Sequence, residues 1–96
     1  MHIDEREIIL KTLNYLAYSE QKSFYYPYTL RKVIIKTCFN NEYRYINRIS
    51  ASTILTIKGI LQLLGVSVEK RNGYVKAWIS LEDQRKIRNF LKVLQV

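Results

Sequence analysis

Apolar residues recur at helical spacing in several stretches of the chain, and in one stretch they alternate with polar residues. The first stretch puts Ile9, Leu13, Leu16 and Ala17 on one face, which predicts a helix over about residues 5–19. Asp4 and Glu7 open it at capping-box spacing, and acidic groups in a first turn also suit the helix dipole. Further on, Leu30, Val33, Ile34, Thr37 and Cys38 share one side of a helix predicted over about 29–39, with Thr29 at its cap. Arg31, Lys32 and Lys36 lie away from that side. Asn40 and Asn41 supply the stop, because asparagine tolerates the left-handed conformation that ends helices.

A third helix, over about 51–64, begins at Ser50 or Ser52, either of which can cap, and ends at Gly65. Its core side holds Ile54, Ile57, Leu61 and Leu64, and the opposite side holds Ser52, Thr56, Gly59 and Gln62. Small residues on that opposite side let another surface come close. Leu55 and Leu63 flank it, so its C-terminal half suits a partner subunit and its N-terminal half suits DNA.

The alternating stretch follows at once. In "VEKRNGYVKAW" the Asn72-Gly73 pair is a type I′ hairpin signal, which sets Arg71 opposite Tyr74, Glu69 opposite Lys76 and Val68 opposite Ala77. Val66, Val68, Val75, Ala77 and Ile79 then share the core face of a two-stranded wing over 66–79. Ser80 and Asp83 give a second capping box, and Ile87, Phe90, Leu91 and Leu94 form the stripe of a helix over about 81–94 that closes the core or makes a dimer. The same helix spells "QRKIRNFL", Gln84 to Leu91, which resembles the sliding-clamp binding motif, with Leu91 in place of the second aromatic. Any amphipathic helix gives that spacing too.

Two segments carry no clear period. "KSFYYPY", from Lys22 to Tyr28, reads as an extended connector or an edge strand. "EYRYINRIS", from Glu42 to Ser50, reads as a loop, a short strand or one helical turn. Tyr43, Arg44, Tyr45 and Arg48 give it the basic and aromatic interleaving that nucleic acids favour. Tyrosines packed beneath a loop that its arginines keep wet would produce the same pattern.

Charge sharpens this picture. The 96 residues carry a formal +8, and since residues 1–21 sum to −2 and residues 80–96 to +2, the whole excess lies in residues 22–79. That concentration points to a polyanionic partner. Length and a 48% apolar composition fit one globular domain, 1–96. The single cysteine, Cys38, makes no internal disulfide, and no leader or long apolar run is read, so the expectation is a soluble, intracellular, nucleoid-associated protein of the cytoplasm with no membrane role.

Helix, connector, helix, helix, hairpin and helix is an order that resembles the winged helix-turn-helix superfamily over essentially the full chain. "SASTILTIKGILQLLGVSVEKRNGYVKAWIS" is its most specific part and is similar to the recognition helix and wing of small archaeal, plasmid or viral regulators. The resemblance implies an α+β, mainly α fold with a three-helix core, a two-stranded wing and a C-terminal helix. It also implies double-stranded DNA as partner and a homodimer on two-fold sites. Carried onto this chain, Ser52, Thr53, Thr56 and Lys58 would be helix contacts, Lys70, Arg71 and Lys76 wing contacts, and Arg31, Lys32, Arg44 and Arg48 phosphate contacts. Dimer or partner contacts would fall on Leu55, Leu63, Trp78, Ile87, Phe90, Leu91 and Leu94. The connection over 40–49 is longer than the tight turn usual in that superfamily.

Fold does not fix function, and a docking module for another protein, replication-associated if the clamp-like motif is used, is the competing class. RNA is the other rival, since tyrosines can stack on unpaired bases. An enzyme is not expected: the lone histidine, His2, sits near a terminus, and no nucleophile has a base at a recognisable spacing. One His and one Cys give no metal site, and no cofactor motif is present.

Overall fold

The computed structural model describes residues 4–20, 23–26, 28–71 and 74–94, excepting the side chains of residues 25, 26, 28, 68–71, 74 and 75. Among the described residues the elements run α1 (Glu5–Tyr18), β1 (Ser23–Tyr26), α2 (Tyr28–Cys38), a 3-10 helix (Tyr43–Arg48), α3 (Ala51–Leu63), β2 (Ser67–Arg71), β3 (Tyr74–Trp78) and α4 (Leu81–Leu94). The architecture is α+β and mainly helical.

Local chemistry sets most of these boundaries. The Asp4 carboxylate accepts the Glu7 amide at 2.8 Å and starts α1. Ser80 and Asp83 form a reciprocal capping box at α4: the Asp83 amide donates to Ser80 Oγ and the Ser80 amide to Asp83 Oδ2, each at 3.1 Å. Between the two candidate caps of α3, Ser50 is the one used, accepting the Thr53 amide at 3.2 Å. The far end of α3 closes as a Schellman motif, with the Val66 amide on the Leu61 carbonyl, the Gly65 amide on the Gln62 carbonyl, and Gly65 at φ 85. Asn40 and Asn41, at φ 52 and 63, end α2 and turn the chain into the 3-10 helix.

The strands form one antiparallel sheet in the order β1-β3-β2. Glu69 opposite Lys76, Val68 opposite Ala77 and Arg71 opposite Tyr74 is the register expected from a two-residue turn at Asn72-Gly73 and from the hydrophobic alternation, while the turn itself lies outside the described residues. The sheet is not confined to the two strands of the hairpin. β1 pairs along β3, with Phe24 opposite Ala77 and Ser23 opposite Trp78, so the aromatic connector is an edge strand. Phe24, at 1% exposure, is the physical reason: it carries a large ring into the core beside Ala77.

That core takes Leu13 and Leu16 from α1, Leu30, Ile34 and Ile35 from α2, Ile57 and Leu61 from α3, and Ile87 and Leu91 from α4. Helix α1 packs on α2, α3 and α4, and the sheet meets the helices chiefly where β1 touches α2. One contact set repeats across α1 and α4. Gln84 Nε2 donates to the Leu16 carbonyl at 2.9 Å and the Ser19 carbonyl at 2.7 Å, and Arg88 Nη1 donates to the Ala17 carbonyl at 3.0 Å. Carbonyls at a helix C-terminus have no partner within their own helix, so α4 supplies the donors that finish α1.

This corrects the reading of Gln84 to Leu91 as a clamp-binding motif. Gln84 is 6% exposed and committed to α1, while Ile87 and Leu91 are 0% and 4% exposed in the chain's own core. A buried residue already filling the core has no surface for a dimer or partner, so Ile87 and Leu91 leave that role. No described helix is long and apolar enough to cross a membrane.

Candidate nucleic-acid interface

The approach to α3 is built around one tyrosine. Phe39, 2% exposed at the end of α2, stacks against the Tyr45 ring with centroids 5.4 Å apart and planes 24° from parallel. The 3-10 helix winds over that base, and its Arg44 and Arg48 guanidinium carbons stand 4.7 and 5.2 Å from the Tyr45 centroid. Both arginines and Tyr43 are exposed. Arg44 Nη2 also meets Glu42 Oε2 at 2.8 Å, an ion pair open to water on both sides. Sequence spacing suggested the basic and aromatic mixture but not the ring that organises it, since a 3-10 helix brings together residues three apart rather than four.

Arg31 has a different position from the one expected. It is half-buried, and its Nη1 donates to the Ile49 carbonyl at 2.6 Å, tying α2 to the residue before the α3 cap. Lys32 is exposed on the same helix, and the exposed Lys36 donates to Tyr15 Oη at 3.3 Å.

On α3, Ser52, Leu55, Thr56, Gln62 and Leu63 are exposed, and Lys58 and Gly59 are half-buried. Thr53 is not available as a DNA contact. It is 3% exposed, and its Oγ1 lies 2.9 Å from Ser50 Oγ, so its hydroxyl belongs to the cap. Thr56 donates to the Ser52 carbonyl at 2.8 Å and lines a groove of about 400 Å³ with Glu5, Arg6, Ile9, Leu10 and Leu94. It therefore stands at the border of α3 with α1 and α4. A Cβ added at Gly59 would meet nothing within 4 Å, so the chain's own packing makes no demand for glycine there.

The hairpin adds a further basic element. Lys76 Nζ lies 3.8 Å from the centroid of the Trp78 ring, which is 46% exposed. Lys70 and Arg71 belong to the backbone of β2 next to the tip, and their side chains lie outside the described residues. Of the residues expected to meet a partner, Leu55 and Leu63 are 63% and 88% exposed, Leu94 is exposed at the groove, and Phe90 is half-buried. Burial at the end of α2 pushes the Cys38 thiol above its ordinary range.

No family model, curated protein or solved structure matches the chain.

Proposed function

We propose that the chain is a winged-helix protein that binds double-stranded DNA with a sequence preference, as a dimeric transcription regulator or a site-binding factor in DNA maintenance. Helix α3 lies in the major groove, and the β2–β3 hairpin rests on adjacent backbone or minor groove. The observation that carries this reading is the exposed face of α3, entered through exposed Arg44 and Arg48 and followed by a hairpin, at the centre of the segment that holds the entire +8. Ser52 and Gln62 supply hydrogen-bonding groups on that face, and Lys58 stands at its edge. Lys32 and the arginines of the 3-10 helix supply phosphate contacts, and Lys76 supplies the described cation of the wing.

Fluorescence anisotropy of a labelled random duplex of about three helical turns, titrated at several salt concentrations, tests the reading, with a basic protein of similar charge as control. The expected result is a salt slope steeper than the control's, lowered by about one unit in Lys76→Ala. Binding no better than the control at low salt sinks it. That outcome would favour the second reading, a protein-docking surface, for which Leu55 and Leu63 on the same face of α3 are the specific support.

A further inference from the structure

We infer that the Glu42 to Arg48 segment is a preassembled phosphodiester clamp: Tyr45 holds Arg44 and Arg48 in place, and Glu42 occupies Arg44 until a backbone phosphate replaces it. This rests on the DNA-binding reading and says which element grips the strand and what gates it.

Most surface arginines lose considerable rotamer freedom when they bind, and that loss weakens the contact. Here much of the ordering precedes the ligand. Tyr45 is braced from beneath by Phe39, which belongs to the core, so the ring that positions both guanidinium groups is itself fixed to the fold. A guanidinium against a ring keeps its planar fork of N–H donors directed around its edge, where phosphate oxygens can be met in pairs. The segment leads directly to the Ser50 cap of α3, and the Arg31 bond to the Ile49 carbonyl fixes that junction. A strand gripped at the 3-10 helix is therefore registered against α3.

Glu42 is the second part of the device. Its carboxylate sits 2.8 Å from Arg44 Nη2, with side chains 43% and 71% exposed respectively. Pairs so open to water hold weakly, and a phosphate offers the same oxygen chemistry with further charges along the chain. Replacing the carboxylate costs little, yet a ligand with only one weak charge gains little from displacing it. The result favours a polymer of phosphates over a small anion.

The test compares variants matched in net charge within each comparison, in the duplex anisotropy assay at one moderate salt concentration. Arg44→Lys/Arg48→Lys keeps both charges but removes the planar forks, and Tyr45→Leu keeps both arginines but removes their ring. Each is expected to weaken duplex binding about tenfold, with circular dichroism reporting an intact fold. Glu42→Gln is expected to tighten binding about threefold more than Glu20→Gln, an exposed change of equal charge in the connection between α1 and β1. A double lysine variant that binds like the parent overturns the clamp while leaving DNA binding in place. Equal tightening by the two glutamine variants overturns the gate. A parent that fails to exceed the basic control overturns the DNA reading and the clamp with it.

Discussion

Arginines at two places in this molecule do opposite things. On α4, Arg88 donates to the Ala17 carbonyl and stacks over Tyr18, and beside it Gln84 donates to two more carbonyls, so these two side chains are directed onto α1. In the 3-10 helix, Arg44 and Arg48 lean on Tyr45 and remain exposed. One arrangement completes backbone hydrogen bonding and belongs to the scaffold. The other holds charge at the surface in a fixed place, which adds little to folding and is suited to an external anion.

The largest effect that separates these roles is at Gln84. Gln84→Leu preserves size but removes both donors, leaving the Leu16 and Ser19 carbonyls unsatisfied near the core. The expected cost is roughly 3 kcal/mol of unfolding free energy, read from urea denaturation at unchanged slope. A cost below about 0.5 kcal/mol, the scale of an ordinary surface substitution, would remove the distinction between scaffold and surface at its strongest point.

Gln84 also shows where the sequence is legible and where it stops being so. Its helix, its Ser80–Asp83 cap and the apolar stripe through Ile87 and Leu91 all follow from local spacing, as do the Gly65 stop, the asparagine stop of α2 and the hairpin register. Each depends on residues a few positions apart. What Gln84 binds lies 65 and 68 positions away, and the glutamine of a short linear motif is indistinguishable from the glutamine of a helix terminus until the two helices are side by side. Thr53 is misread for a related reason: in sequence it is one hydroxyl among several near Ser52, and only the choice of Ser50 as cap turns it inward. The strand at Ser23–Tyr26 needed a partner, Val75 to Trp78, from the far part of the chain, and the crowd of aromatics around Pro27 left both strand and connector open. At the candidate interface, the tyrosine and arginine composition was visible, but the bracing of Tyr45 by Phe39 required the chain reversal at Asn40 and Asn41.

A smaller contrast concerns the caps. Ser80→Ala removes the side-chain acceptor for the Asp83 amide and should cost about 1 kcal/mol, measurable as a lower midpoint in urea. Because α4 carries the donors for α1, the loss should be felt at both helices: amide exchange is expected to accelerate at residues 16–19 as well as in the first turn of α4. Acceleration confined to α4 would show that Gln84 and Arg88 hold α1 without help from the cap.

The smallest effect, at Arg48, is the most discriminating. Arg88→Ala removes a charged donor from a half-buried carbonyl and should cost roughly 1.5 kcal/mol, whereas Arg48→Ala, exposed and on a ring face, should cost under about 0.5 kcal/mol. Duplex affinity should move in the reverse order, with Arg48→Ala weakening it and Arg88→Ala leaving it nearly unchanged at temperatures where both proteins are folded. If Arg48→Ala destabilised the fold as much as Arg88→Ala, the Tyr45 cluster would be a packing device that holds α3 against α2. Its arginines would then be no better placed than any other surface cations to meet a phosphate backbone.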